Sequence, residues 1–325
     1  MITLRREEVL RFQPGHQALQ QLARAKGTCA GLPQILSVAA GVRPATDDWV
    51  PHATFESYAE SIAALGLVVL KDAVFLPFGT TSALGTNYLT TTRARGTLPD
   101  QAREGDVLHV FIGADNYSAE RAQAAGWYPL VIGDAVASAA WSDAATFGAA
   151  LGYPACCIRS FLEHNSWDEL GHLQRLGNPG CVDPARNFFA RNIGLSWTFP
   201  IPCSWNCALS LEQALATRDA MRSIDPAYAH LIEAVSSMPV LIFSERTLYL
   251  LFRDENNHIE PLFVGGTAAD DSYGSLLSKG RELLIDGEVV AVYDRDSAPV
   301  TILTTHSVGT GAEVPVLYRF TSSGD

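Results

Sequence analysis

Four of the six cysteines of the chain stand in two short motifs, and thiolates grouped in this way are the usual ligands of a metal ion or an iron–sulfur cluster. The first motif, at 152–161, reads Gly-Tyr-Pro-Ala-Cys-Cys-Ile-Arg-Ser-Phe, and the second, at 202–207, reads Pro-Cys-Ser-Trp-Asn-Cys. In each motif the cysteines follow a proline that fits the start of a helix. We interpret these four residues as one ligand set: Cys156, Cys157, Cys203 and Cys207.

The first motif predicts a helix that begins at Pro154 or Ala155. Cys156 and Cys157 then lie in its first turn, where unpaired backbone N–H groups and the positive end of the helix dipole favour the thiolate form. Successive helical residues point about 100° apart, so the pair supplies either two ligands or one ligand and one nucleophile. Polar side chains that share a helix face with these cysteines are candidate catalytic groups: Arg159, Glu163 and His164.

If a helix has begun by Cys203, the second motif places two sulfurs on one helix face, because Cys203 and Cys207 are four residues apart. A long amphipathic helix is expected over 204–223. In that arrangement the pair can chelate one metal ion or two irons of a cluster. Cys181, in a glycine-rich loop, is a candidate fifth sulfur, whereas Cys29 stands alone and is expected in the core.

The ligand type narrows the choice of metal. Sites made only of thiolates select zinc or iron–sulfur centres. A zinc ribbon uses two Cys-x-x-Cys turns, and this chain has neither, which favours an iron–sulfur cluster of the [4Fe–4S] type, with zinc as the alternative. If only three cysteines bind a four-iron cluster, the open iron can bind substrate as a Lewis acid or hold a sulfide for transfer.

The paired motif also carries a resemblance. Gly-Tyr-Pro-x-Cys-Cys-x-x-x-Phe at 152–161 together with Pro-Cys-Ser-x-x-Cys at 202–207 resembles an uncharacterised domain family of archaea and bacteria. The similarity covers about a third of the chain, centred on 140–215. The resemblance implies that the four cysteines of the ligand set act as one unit.

Composition and motif content argue against several other functions. The net charge of −12 and the pI near 5.1 disfavour nucleic acid as a partner. The longest apolar runs are too short to cross a bilayer, and the charged start does not read as a signal peptide, so no membrane partner and a cytoplasmic location are expected. The chain has no glycine-rich phosphate-binding motif, no His-Glu-x-x-His and no Gly-x-Ser-x-Gly.

Hydrophobic patterning predicts an α+β fold in three consecutive parts. Residues 1–132 are expected to form an α/β segment, 133–237 a helical domain that carries the cysteines, and 238–325 an antiparallel sheet. Hydrophobic residues make up 47% of the chain, which is enough for a sizeable core.

Three functions follow as hypotheses. The first is a metalloenzyme, such as an iron–sulfur-dependent lyase, sulfurtransferase or oxidoreductase, that acts on a small molecule in specialised metabolism with an electron or sulfur donor protein as partner. The second is a non-enzymatic binding or scaffold protein with a structural zinc. The third is a metal-free enzyme in which Cys157 is the nucleophile, activated by its helix start and by His164.

Overall fold

The computed structural model describes residues 6–76, 105–126, 130–132, 135–138, 144–163, 176, 182–244, 247–264, 271, 273–286, 289–294, 299–304 and 316–320. Within these ranges helices occur together with antiparallel sheets, so the predicted α+β class is confirmed. The chain divides into two compact units: unit 1 comprises Met1–Phe12, Asp168–Cys207 and Ala229–Asp325, and unit 2 comprises Gln13–Trp167 and Ala208–Tyr228. The three consecutive parts expected from the sequence stay a prediction.

The regular elements of the described ranges are as follows. The helices are α1 (Arg6–Arg11), α2 (Gln17–Lys26), α3 (Leu32–Ala39), α4 (Phe55–Ala64), α5 (Asn116–Ala124), α6 (Ala144–Ala150), α7 (Ala155–Glu163), α8 (Ala208–Ile224), α9 (Pro226–Ser236) and α10 (Gly274–Leu277). The strands are β1 (Ala45–Pro51), β2 (Val68–Leu76), β3 (Val107–Gly113), β4 (Leu130–Ile132), β5 (Ala135–Ser138), β6 (Val240–Ser244), β7 (Thr247–Arg253), β8 (Ile259–Phe263), β9 (Glu282–Asp286), β10 (Val289–Tyr293), β11 (Thr301–Thr304) and β12 (Val316–Tyr318). None of the described helices is both long and apolar enough to span a membrane.

Unit 2 contains a three-stranded antiparallel sheet in the order β1-β3-β2. Its central strand reads Val-Leu-His-Val-Phe-Ile-Gly, and every residue after Val107 is buried. A short, nearly continuous apolar run of this kind is typical of a strand that is covered on both faces. Helix α5 packs on β3, α2 packs against α4, and α3 packs against α8. The imidazole of His109 is therefore enclosed in the interior of this unit.

Strand β2 differs from its prediction. The sequence indicates two short strands, 67–70 and 73–76, separated by a turn at Asp72, but the structure has one continuous strand with an irregular register at its middle. The carboxylate of Asp72 lies 2.5 Å from Nδ1 of His109, so this residue is held against the sheet. A buried partner thus overrides the turn preference of aspartate.

His109 bridges two strands through a pair of carboxylates. Its Nδ1 lies 2.5 Å from Asp72 on β2, and its Nε2 lies 3.2 Å from Asp47 on β1. Burial by itself would lower the pKa of His109, but hydrogen bonds and charges from Asp47 and Asp72 raise it to about 9. Trp49 and Phe111 flank the imidazole at ring distances of 4.7 Å each. The result is a buried imidazolium between two anions.

Unit 1 contains two antiparallel sheets. The first has the order β12-β6-β7-β8 and the second the order β11-β10-β9, in which β9 and β10 form the hairpin that Asp286 and Gly287 predict, although Gly287 itself lies outside the described residues. Strand residues from both sheets and one residue of α10 form a single buried cluster: Leu241, Phe243, Tyr249, Leu251, Ile259, Leu277, Val290, Val292 and Leu303. This cluster is a core of the β-rich part of the chain.

The stretch 182–200 lacks long elements but is tightly hydrogen-bonded. Two short 3₁₀ turns, Pro184–Arg186 and Phe189–Ile193, occur in it. Buried side chains bind its backbone: Ser196 Oγ donates to the carbonyl of Asn187 at 2.8 Å, and Thr198 Oγ1 donates to that of Ala185 at 2.6 Å. Because buried carbonyls need donors, these bonds hold an irregular segment in one conformation, directly ahead of the second cysteine motif.

Candidate metal centre

The four cysteines of the two motifs converge. Their Sγ atoms all lie within 4.8 Å of one another, and the Sγ atoms of Cys156 and Cys157 are 4.0 Å apart. Cys157 and Cys207 are buried, whereas Cys156 and Cys203 are half-buried. Four sulfurs at this spacing are close enough to bind a metal. The predicted ligand set is therefore assembled in space.

Cys156 and Cys157 occupy the start of a helix, as predicted. Helix α7 begins at Ala155, and the backbone N–H groups of Cys157 and Ile158 both donate to the carbonyl of Pro154, at 2.9 and 3.0 Å. Both cysteines thus belong to the first turn, where the helix dipole favours negative charge. Their neighbouring positions on this turn direct both sulfurs into the cluster.

The backbone conformation and the surroundings of Gly152 explain why the first motif begins with glycine. Its φ of +74° lies in the left-handed region that side chains disfavour. In addition, a Cβ at this position would stand 2.5 Å from Cδ of Pro44, which is closer than atoms can approach. Glycine therefore permits the sharp link, 151–153, between α6 and the proline ahead of α7, and this link places the cysteine-bearing turn.

Cys203 and Cys207 lie on a turn rather than on a helix. Helix α8 begins at Ala208, four residues later than the predicted start at Ser204, so the expected stacking of the two sulfurs on one helix face is wrong. The turn is closed by the N–H of Cys207, which donates to the carbonyl of Ser204 at 3.1 Å. Serine and asparagine favour turns over helix interiors, which accounts for the later start. A turn brings both sulfurs to the cluster as well as a helix would.

An aromatic cluster anchors this turn within unit 1. Trp205, between the two cysteines, is only 4% exposed. Its ring stacks on Phe188 at 5.7 Å and contacts Tyr318 at 5.1 Å. Phe189 and Phe320 complete the cluster at 6.3 and 6.2 Å from Trp205. Two separate chain segments, 188–189 and 318–320, therefore hold the turn in place by burying one large ring.

Trp205 offers a test of this anchoring. Replacing Trp205 by alanine is expected to lower the free energy of unfolding by about 3–5 kcal/mol, as for other buried aromatic residues. We also expect a weaker affinity for Zn²⁺, because the turn that carries two ligands loses its support, and Trp205→Phe is expected to restore most of both properties. Urea unfolding followed by circular dichroism and competition with a chromophoric zinc chelator measure the two quantities.

Trp197 provides the matched control for this experiment. It is 2% exposed and belongs to the same unit, but it does not lie between the two cysteines. Trp197→Ala is expected to reduce stability by a similar amount while the folded protein keeps its zinc affinity. An equal loss of zinc affinity in both variants would show that Trp205 has no special relation to the turn.

The predicted catalytic residues receive less support from the geometry. Arg159 and Glu163 are exposed on α7, and His164 lies outside the described residues, as does Cys181. Their catalytic or ligand roles stay predictions.

Cys29 is absent from the cluster: its carbonyl accepts a 2.6 Å hydrogen bond from Tyr228, and burial raises the pKa of its thiol. Cys29 is only half-buried, however, so it is not the fully buried core residue that was expected.

A groove of about 380 Å³ lies in unit 2 beside the start of α7. It is lined by one face of α8, by the proline that precedes the first cysteine pair and by one residue ahead of β1: Leu209, Glu212, Gln213, Ala216, Pro154 and Val42. Its volume is in the range of small-molecule sites. The sequence had no signal for this groove, because its walls are distant in the chain.

Comparisons with known proteins give no match: no protein-family model, curated protein or solved structure is significantly similar to the chain. The resemblance of 152–161 and 202–207 to an archaeal and bacterial domain family therefore stays a prediction. The chemistry of the four sulfurs is the basis on which function is inferred.

Proposed function

We propose that the four cysteines bind a single tetrahedral metal ion, with Zn²⁺ as the first choice. The observation that carries the proposal is the sulfur spacing. Zinc–thiolate bonds are about 2.3 Å long, so the four sulfurs of a tetrahedral site lie roughly 3.8 Å apart. The Sγ atoms of this cluster are at most 4.8 Å apart, and those of Cys156 and Cys157 are 4.0 Å apart. Small side-chain rotations bring such sulfurs to tetrahedral positions.

The same spacing is less favourable for a [4Fe–4S] cluster. In a four-iron cluster each thiolate binds a different iron, so the cysteine sulfurs stand about 6 Å apart. The ligand set would have to expand beyond its observed separation of 4.8 Å to take such a cluster. For a single ion, the distances between the sulfurs need to shorten only slightly. This supports zinc over the iron–sulfur cluster that the sequence motifs favoured.

Full coordination points to a structural role. Four thiolates fill all positions of a tetrahedral ion, and closed sites of this kind stabilise folds, whereas catalytic zinc keeps one position open. Adjacent cysteines are also poorly suited to a disulfide with each other, since consecutive Cα atoms are about 3.8 Å apart and disulfides need about 4.4 Å or more. The pair at 156–157 is therefore better suited to metal binding. We infer a zinc-stabilised protein whose metal joins two distant parts of the sequence.

Metal content of protein purified without oxygen tests the proposal. We expect about one zinc per chain and no acid-labile sulfide. Replacement of zinc by Co²⁺ is expected to give intense visible bands of tetrahedral cobalt and a near-ultraviolet charge-transfer band from four thiolates. Folded protein that carries no metal when purified and binds no added Zn²⁺ would overturn the proposal, and iron with an equal amount of sulfide would replace it by an iron–sulfur centre.

The second candidate is a small-molecule enzyme that uses the same thiolate centre. The half-buried sulfurs of Cys156 and Cys203 support access of a small molecule to the thiolate centre. Redox or sulfur-transfer chemistry with an electron or sulfur donor protein would then require iron and sulfide in the assay above. The third hypothesis, a metal-free enzyme with Cys157 as the nucleophile, is disfavoured because Cys157 is only 3% exposed.

A further inference from the structure

Arg43 is a buried cation outside the ligand set. It is only 3% exposed and lies between α3 and β1 in unit 2. Its Nε donates to the carbonyl of Leu151 at 2.8 Å, and its guanidinium lies over the ring of Tyr153, 4.9 Å from the centroid. Burial lowers the pKa of Arg43, while Tyr153 and Asp47 raise it. Placing a charge in the interior is costly unless specific partners compensate, and here two of the partners flank Gly152.

Gln213 on α8 holds the same link from a second side. Its Nε2 donates to the carbonyl of Gly152 at 2.7 Å. The contacts of Arg43 and Gln213 thus fall on three consecutive residues, 151–153, that end two positions before the helix of the first cysteine pair. All of these groups belong to unit 2. The N–H groups of the link donate to carbonyls of α6, and Arg43 and Gln213 donate to its own carbonyls at Leu151 and Gly152.

We propose that Arg43 and Gln213 are positioning residues of the metal centre, which fix the link 151–153 and thereby direct the first turn of α7 with Cys156 and Cys157. This inference rests on the proposed metal centre. Metal ligands need groups behind them that hold their orientation, and loss of such support weakens metal affinity by about 10–100-fold in well-studied sites. Arg43 and Gln213 act here through the backbone of the link rather than through the sulfurs themselves.

The planar guanidinium is essential to this role. A lysine at position 43 keeps the positive charge, but it has no flat face to lie over Tyr153 and no fork of donors with the geometry of arginine. Arg43→Lys therefore separates positioning from charge. Gln213→Met removes the donor to Gly152 with little change in side-chain volume, and it affects a half-buried residue, so the fold is expected to survive.

The experiment measures the dissociation constant for Zn²⁺ by chelator competition and the visible spectrum of the Co²⁺ form. The full-length wild type, Arg43→Lys and Gln213→Met are compared under conditions in which circular dichroism shows that the metal-free chain is folded. We expect the dissociation constant to rise about 10-fold or more in each variant, together with a shift in the cobalt bands from altered ligand geometry. Arg24→Met, at an exposed arginine on α2, is the matched control and is expected to change neither.

The outcomes separate the two proposals. If the wild type binds no Zn²⁺ or Co²⁺, the metal centre itself is wrong. If the wild type binds the metal and both variants bind it with unchanged affinity and spectrum, only the positioning role is overturned, even if the variants unfold at lower temperature. If Arg43→Lys does not fold, Gln213→Met decides the question alone.

Discussion

Replacing Cys207 by serine is expected to lower the affinity for Zn²⁺ by about 100-fold or more. Structural zinc in a four-ligand site contributes about 10–16 kcal/mol, so one ligand accounts for roughly 3–4 kcal/mol of that binding free energy. Cys207 is buried, and the hydroxyl of serine is a poor substitute for a thiolate. Competition with a chromophoric chelator measures the affinity, and the cobalt form reports the loss of one sulfur through a weaker charge-transfer band.

The same substitution at the other three positions distinguishes a four-ligand site from a three-ligand site. We expect Cys156→Ser, Cys157→Ser and Cys203→Ser to have effects of the same order, because all four sulfurs lie within 4.8 Å of one another. Cys29→Ser is the matched control: this cysteine lies outside the cluster and is expected to leave zinc content unchanged. Retention of full affinity in any one of the four variants would contradict tetrathiolate coordination.

Removal of the metal is expected to have a consequence for stability as well. A ligand that binds only the folded state stabilises it in proportion to the logarithm of its concentration over the dissociation constant. A chelator should therefore lower the thermal midpoint of the wild type by more than that of Cys207→Ser, because the variant gains less stability from the metal. The difference between the two responses isolates the contribution of the metal from that of the thiol.

Replacing His109 by glutamine is expected to lower the free energy of unfolding by about 3–5 kcal/mol at pH 6, because it leaves the carboxylates of Asp47 and Asp72 without the buried cation that both contact. His109 is completely buried, and its ring nitrogens lie 2.5 Å from Asp72 and 3.2 Å from Asp47. Glutamine can donate to one carboxylate but carries no charge. Urea unfolding followed by circular dichroism measures the effect.

The pH dependence of this effect has a definite sign. The pKa of His109 rises from 6.5 to about 9 on folding, so the stabilisation is fully present below pH 6.5 and is lost as the pH rises through about 9. This change corresponds to roughly 3 kcal/mol. The pKa of Asp47 is lowered, since the hydrogen bond and charge of His109 outweigh the effect of its burial. The stabilising contribution of Asp47 is lost at acidic pH, as the pH falls below 3.8, the ordinary pKa of an aspartate.

His230→Gln is the control for these measurements, because His230 is exposed on α9. We expect His230→Gln to alter stability by less than about 0.5 kcal/mol at every pH. The stability difference between wild type and His109→Gln should shrink between pH 6.5 and pH 9. A difference that stays constant over this range would show that His109 is uncharged in the folded protein.

Local patterns predicted much of the secondary structure. Short-range preferences predict the α+β class, the helix behind Pro154 and a helix cap at Asp115 or Asn116. In the structure the cap is Asp115, whose carboxylate accepts from the N–H of Ser118 at 2.7 Å. Helix α3 and strand β1 were not predicted, and two further differences occur where a long-range partner or a turn outweighs the local preference. The sequence predicts a turn at Asp72, but this residue is held in β2 by His109. It predicts a helix start at Ser204, but this residue lies in a turn ahead of α8.

The sequence by itself determined the chemistry of the candidate site, because cysteines in two short motifs behind prolines can be recognised from residue type and spacing alone. Only the tertiary structure decided that all four sulfurs meet, how far apart they stand, and which residues support them. Arg43 and Leu151 are 108 positions apart, and Gln213 and Gly152 are 61 apart, so no local pattern marks either pair. Such contacts arise when the folded backbone brings distant segments together, and their energies depend on burial and geometry that a linear pattern does not contain.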